Sequence, residues 1–189
     1  SSGGEASLMA DTALKHDVVF PPLSGAQQAA LRAALGPRVA LANPLDYHTY
    51  VWNDAAAMAA VYAAMMDGTA DLTVVVADFP RRDRCDSSDW DCVIDAAGQA
   101  QARTGRPLAI VASLPDAMDE ATAARIADAG LVPLAGFPET LAAVAALARP
   151  VPVAPPPVLP VRRDATVCHD EAAAKARLAG RGIAVPDGR

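Results

Sequence analysis

An apolar run in the middle of the chain places the strongest constraint on its fold. Residues 71–78, DLTVVVAD, are apolar almost throughout and end in an acid. A strand that is apolar on both faces is typical of the inside of a parallel sheet, where helices cover both sides. The run therefore predicts a strand within such a sheet.

Segments with the same order of strand, loop and helix lie on both sides of this run. Ser24 and Gln27 have the spacing of a capping box, and Gly36 with Pro37 ends the helix that they begin. Further strands are predicted at residues 38–42, 107–113 and 131–134, and further helices at 54–66, 89–104, 116–129 and 138–147. This alternation predicts an α/β fold, an open parallel sheet with helices on both faces.

Composition narrows the class of protein. With 52% hydrophobic residues among 189, the chain can bury a core, and its net charge of −6 argues against a nucleic-acid surface. No apolar run approaches the roughly 20 residues that cross a bilayer, and no signal peptide opens the sequence, so we expect a cytoplasmic protein. The three cysteines lack the spacing of a metal site and are expected to be free thiols.

The first residues, SSGGE, run into an amphipathic helix predicted at residues 6–14. Gly3 and Gly4 carry no Cβ, so an anion can approach their N–H groups closely. N–H groups at a helix start lie at the positive end of the helix dipole, which favours phosphate. The same residues also suit a flexible terminus or an N-cap, and the pattern alone leaves both possibilities open.

Ligands of open parallel sheets bind outside the carboxyl ends of the strands. The loops expected at that edge are residues 1–5, 43–52, 78–88, 113–116 and 136–139. A turn such as 1–5 normally follows a strand, but no strand precedes it here. We therefore expect the first strand of the sheet to come from a separate segment.

The C-terminal part differs in character. Residues 149–167 are rich in proline and predict a stiff extended linker between residues 1–148 and residues 168–189. The last segment contains a strong helix, at residues 170–179, which cannot bury a core alone. It is expected to begin a domain that the sequence does not finish.

Three stretches together resemble one family. Residues 2–6, SGGEA, with Ala10 and Asp11 are similar to the turn and helix that open the flavodoxin-like C-terminal domain of ADP-forming (NDP-forming) acyl-CoA synthetases, relatives of succinyl-CoA synthetase. Residues 43–46, NPLD, resemble the Asn-Pro-x-Asp after the second strand of that domain. Residues 171–175 and 182–186 are similar to the first helix and turn of the family's ATP-grasp part.

The resemblance implies a flavodoxin-like sheet and a ligase that makes acyl-CoA, ADP and phosphate from an acid, CoA and ATP through a phosphohistidine. It implies that ATP with Mg, and CoA, act in the parent enzyme, with none bound by this chain alone. The partners that it implies are the CoA-binding, phosphohistidine and ATP-grasp domains and a possible homo-oligomer, without nucleic acid or membrane. This chain alone is expected to be inactive, because those domains are missing from it.

Individual residues receive roles from the same resemblance, and no metal ligand is among them. Ser2, Gly3 and Gly4 are expected to bind phosphate. Glu5 and Asp46 are the candidate catalytic acids, to hydrogen-bond or orient the imidazole. The expected substrate contacts are Asn43 and His48.

Each of these residues can also have a purely structural role. Asp46 can simply cap a turn, Glu5 can complement the helix dipole, and His48 can be a loop histidine bonded to backbone. The arginines at 81, 82 and 84 can contact a CoA phosphate or form ion pairs on a solvated loop, which is favoured.

Two other functions are alternatives for the whole chain. One is a non-catalytic regulatory module of the same domain series fused to an acetyltransferase. The other is a response-regulator-like receiver, suggested by Asp78 at the end of a strand and disfavoured because no acidic pair lies near a first strand.

Overall fold

A computed structural model of the chain describes residues 3–149 and 168–186. These residues form seven α-helices and three β-strands in an open α/β arrangement. The helices are α1 Gly3–Ala13, α2 Gly25–Leu35, α3 Ala55–Met66, α4 Asp91–Thr104, α5 Glu120–Asp128, α6 Phe137–Leu147 and α7 Glu171–Ala179. The strands are β1 Thr73–Val76, β2 Leu108–Ala112 and β3 Val132–Ala135.

The three strands form one parallel sheet in the order β1-β2-β3. Val75 pairs with Ile110 across the first ladder, and Ile110 pairs with Pro133 across the second. Every residue of β2 is buried, as expected for a central strand with helices on both faces. The predicted open parallel α/β fold is confirmed, and it is that of a flavodoxin-like sheet.

Apolar side chains on the two faces of the sheet form two separate clusters. The larger cluster joins α2, α3 and α4 to one face, and it includes Val75 of β1 and Ile110 of β2. The smaller cluster joins α1 and α6 to the other face through Met9, Val111 and Phe137. Helix α1 is therefore fixed to the sheet by its own buried residues, which sets the direction of its first turn.

The starts of α2 and α3 lie where the sequence predicted them. Ser24 and Gln27 form the predicted capping box, and Asp54 caps α3 by accepting the N–H of Ala57 at 2.9 Å. Gln27 is also buried, and its amide donates to the carbonyl of Met65 at 2.9 Å. The predicted capping box of α2 thus also ties α2 to the end of α3.

After α1, three details of the predicted secondary structure are wrong. Residues 38–42 are irregular rather than a strand, because no strand lies next to them within the described residues. The strand expected over 71–78 is confined to β1, which pairs there with β2 alone. The helix expected from residue 116 begins at Glu120, because Asp119 caps it by accepting the N–H of Thr122 at 2.7 Å.

The chain divides into two compact units, Ser1–Pro150 and Val151–Arg189. In the second unit α7 is capped by Asp170, and Lys175 pairs with Glu171 at 2.7 Å. Apart from Arg149, the predicted linker lies outside the described residues. In the described part of the chain, every helix is too short or too polar to cross a bilayer.

Candidate functional site

The helical part of the chain begins earlier than the sequence predicted. Gly3, Gly4 and Glu5 belong to α1 itself, whereas the pattern predicted a turn there and a helix from residue 6. The first N–H groups of a helix have no carbonyl partner within the helix and point out of its end. The predicted phosphate contacts Gly3 and Gly4 therefore lie where the helix presents these groups. Ser2 lies outside the described residues.

A carboxylate from a distant loop lies beside this helix start. A Cβ placed on Gly3 would lie 3.0 Å from Oδ2 of Asp46, closer than such atoms normally approach. Glycine is therefore the residue that allows this contact without a shift of Asp46. The structure thus brings together two of the predicted sites, although they lie far apart in the sequence.

The same carboxylate holds the loop that follows it. Oδ1 of Asp46 accepts the backbone N–H of His48 at 2.8 Å, and Oδ2 lies 3.5 Å from His48 Nδ1. His48 and Thr49 have φ values of 55° and 54°, in a region that a β-branched residue such as Thr49 rarely adopts. Asp46 therefore stabilises a strained turn, which is the structural role given above as the alternative for this residue.

The ring of His48 lies at the outside of this loop. Its side chain is 47% exposed and stacks on Tyr50 with ring centroids 5.7 Å apart. The imidazole is therefore accessible to a partner, and its backbone is fixed by Asp46. Asn43 is held differently, because its side-chain amide donates to the carbonyl of Pro21 at 2.9 Å. This hydrogen bond of Asn43 positions the loop.

Behind the loop lies a pair of buried phenols. The hydroxyl groups of Tyr47 and Tyr62 are 3.4 Å apart, and the two rings meet edge to face. Burial raises the pKa of Tyr47, the hydrogen bond with Tyr62 offsets part of this rise, and the nearby Cys92, Glu5 and Asp46 raise it further. Burial raises the pKa of Tyr62 well above its usual value. Glu5 and Asp46 thus both lie close enough to raise the pKa of Tyr47.

Two other groups at the strand ends are occupied within the protein. Asp78, after β1, accepts the N–H and the hydroxyl of Ser113, each at 2.6 Å, and so links the ends of β1 and β2. Asp83 pairs with Arg81 at 2.6 Å and with Arg84 at 3.5 Å. The ion pairs favoured for this loop are therefore present.

Sequence reasoning missed the tyrosine pair and one buried hydroxyl. The pattern predicted Tyr62 only as an apolar position of α3, and Tyr47 only as part of an aromatic loop. Thr140 of α6 is 2% exposed. Its Oγ1 has no hydrogen-bond partner in the described part of the chain. No local pattern signals these features, because each depends on contacts between distant elements.

The fold and the site define an open parallel α/β protein in which the start of one helix meets an acidic loop. A scan against protein-family models and a search of curated proteins found no match to the sequence. Functional assignment therefore depends on the residues of the site and on the sequence resemblance described above.

Proposed function

We propose that this chain is part of an ADP-forming acyl-CoA synthetase. In such an enzyme an acid, CoA and ATP give acyl-CoA, ADP and phosphate by way of a phosphohistidine. The role of this chain is to hold the phosphoryl group of that phosphohistidine at the start of α1. The phosphohistidine itself belongs to another domain of the parent protein.

The observation that carries the proposal is the contact between Gly3 and Asp46. These residues belong to two of the stretches that resemble the synthetase family, and the fold places them side by side. N–H groups at a helix start bind phosphoryl oxygens well, because the helix dipole favours negative charge there. Preorganised donors of this kind supply most of the catalysis in phosphoryl transfer.

The charge of the site favours a phosphohistidine over free phosphate. Asp46 lies next to the helix start, and Glu5 lies in its first turn. Two carboxylates repel a free phosphate dianion at short range, which weakens its binding. A phosphohistidine also carries an imidazole, whose N–H can donate to a carboxylate while the phosphoryl oxygens accept from the helix. The site therefore suits an imidazole and a phosphoryl group together.

With the imidazole at a carboxylate and the phosphoryl group at the helix start, each residue receives a role. Gly3 and Gly4 present backbone N–H groups to the phosphoryl oxygens. Asp46, already fixed through its bond to the His48 N–H, is the better placed carboxylate to receive the imidazole. His48 is exposed on the same loop and can contact the incoming domain or the acyl substrate. ATP with Mg, and CoA, would be bound by the other domains of the parent enzyme.

An assay of the full natural polypeptide tests this function. The protein is incubated with ATP, CoA and a panel of carboxylic acids, and the release of ADP is followed. We expect ADP release that requires both CoA and one of the acids. Protein labelled with the γ-phosphate of ATP should keep its label in alkali and lose it in acid, as a phosphohistidine does. Absence of ADP release with every acid would contradict the proposal and would favour a non-catalytic regulatory module.

A further inference from the structure

An apolar groove runs along the free side of β1. It has a volume of about 800 Å³, and all four residues of β1 line it. Helices α1 and α6 form one wall through Met9, Leu141 and Val144, and α3 forms another through Val61 and Met65. The groove therefore continues the layered arrangement of the fold, with helices above and below a space at the level of the sheet.

The backbone of β1 offers hydrogen bonds to this groove. The N–H of Thr73 donates to the carbonyl of Pro107 at 3.4 Å, and that of Ala77 donates to the carbonyl of Val111 at 2.9 Å. Backbone groups of successive residues in a strand point to opposite sides. The N–H and carbonyl groups of Val74 and Val76 therefore point away from β2, toward the groove.

The two edges of the sheet differ in a way that indicates what the groove accepts. The outer strand β3 contains Pro133, which has no N–H to offer to a further strand and is typical of an edge. The sequence of β1, TVVV, contains no proline and is typical of an inner strand. Thr140, whose buried hydroxyl has no partner in the described residues, also lines the groove. The free edge of β1 thus has the properties of a strand that pairs with a further strand.

We propose that the groove is the seat of a fourth strand, an extended apolar segment that lies parallel to β1 and leads directly into α1. Ala6 and Met9 of α1 line the groove, so a strand placed there ends beside the first turn of that helix. Residues 150–160 are unsuited to this place, because prolines at six of these positions remove the donors that a ladder needs. The occupant is a proline-free strand joined to the N-terminal end of α1.

This proposal is independent of the ligase function. A strand in the groove would pair the edge of β1 and hold the start of α1 in place, whatever that start binds. Residues 43–45, which directly follow the irregular segment 38–42, line the groove, so a strand seated there would lie near that segment.

Fusing a strand to the whole 189-residue chain tests the proposal. The sequence of β2, LAIVA, is fused to the N-terminus at Ser1, because β2 is the strand that is buried on both faces. A matched control carries LAPPA, which has the same length but lacks two adjacent backbone donors. Amide hydrogen exchange of Val74 and Val76 is measured by NMR, together with the melting temperature.

We expect the LAIVA fusion to slow exchange of the Val74 and Val76 amides by about tenfold or more and to raise the melting temperature, because edge amides become paired. The LAPPA fusion should leave both unchanged. Unchanged exchange in the LAIVA fusion, or equal protection by LAPPA, would overturn the proposal. If the fusion aggregates, the same comparison is made with LAIVA and LAPPA as free peptides with solubilising lysine ends.

Sedimentation of the fusion and of the unmodified chain shows whether each is a monomer or a dimer. Protection of Val74 and Val76 in a monomer supports the fourth strand. If the unmodified chain forms dimers and protects the same amides, the occupant of the groove is a second copy of the chain, and the proposal is wrong. Neither readout involves ATP or CoA, so a negative result here does not bear on the synthetase assay.

Discussion

Asp46 Oδ2 lies so close to the backbone of Gly3 that a Cβ at Gly3 would be only 3.0 Å away. The contact joins the first residue of α1 to the loop that precedes α3. It places a carboxylate oxygen next to the N–H groups at the start of a helix. The proposed chemistry depends on this juxtaposition.

Replacing Gly3 by Ala should disturb Asp46. The matched control is Gly25→Ala, because Gly25 also begins a helix, and a Cβ there meets nothing within 4 Å. We expect Gly25→Ala to leave the free energy of unfolding unchanged or to raise it by up to about 1 kcal/mol. Gly3→Ala should give a smaller gain or a loss, and it should shift the NMR signals of Asp46 and His48. Equal effects of the two substitutions would show that the Gly3 contact is unimportant.

Replacing Asp46 by Asn should affect activity more than folding. Asparagine keeps an oxygen that can accept the His48 N–H, but it removes the charge that would attract an imidazole N–H. In the parent enzyme we expect the rate of ADP formation to fall about 100-fold, within the range for a catalytic proton contact. Asp83→Asn, on the exposed arginine-rich loop, serves as the control and should have little effect. A similar loss in both variants would remove Asp46 from the proposed mechanism.

The buried tyrosine pair should make the protein sensitive to alkali. An unfolded tyrosine ionises near pH 10, whereas burial raises the pKa of Tyr62 and keeps it neutral to higher pH in the folded state. Above pH 10 the folded state therefore binds more protons than the unfolded state, and stability falls as pH rises. Tyr62→Phe should reduce this slope by up to about 1.4 kcal/mol per pH unit.

Urea unfolding between about pH 8 and pH 11.5, on either side of the ordinary tyrosine pKa, measures that slope. Tyr50→Phe is the matched control, because Tyr50 is 63% exposed and lies in the loop beside His48. In the Tyr50→Phe variant, the free energy of unfolding should fall with pH as steeply as in the unmodified chain. A Tyr62→Phe variant with the same alkaline slope as the unmodified chain would show that the phenol is not held neutral by burial.

The sequence predicted features that depend on neighbouring residues. The capping box of Ser24 and Gln27 and the N-cap Asp54 are local patterns, and both are present. The rule that loops gather at the carboxyl edge of a parallel sheet also predicted that residues 1–5 and 43–52 would share one region. The contact between Gly3 and Asp46 agrees with that rule.

Features that depend on the packing of particular distant side chains were not predictable. The strand expected at residues 38–42 did not form, because strand formation requires a neighbour that those residues do not have within the described chain. The tyrosine pair and the unpaired Thr140 hydroxyl arise from the packing of separate elements. A general rule on loops can bring two segments to one edge of the sheet, but it does not say which side chains of separate elements will meet.

The most direct test of the proposed phosphoryl site is an NMR titration of the ¹⁵N-labelled chain. The ligand is a peptide that carries a stable phosphonate analogue of phosphohistidine. The controls are the same peptide with unmodified histidine, and inorganic phosphate. If α1 holds the phosphoryl group, the amides of Gly3, Gly4 and Glu5 shift saturably with the phosphonate peptide and much less with either control. No shift at these amides, or saturable shifts confined to another part of the chain, would contradict the proposal.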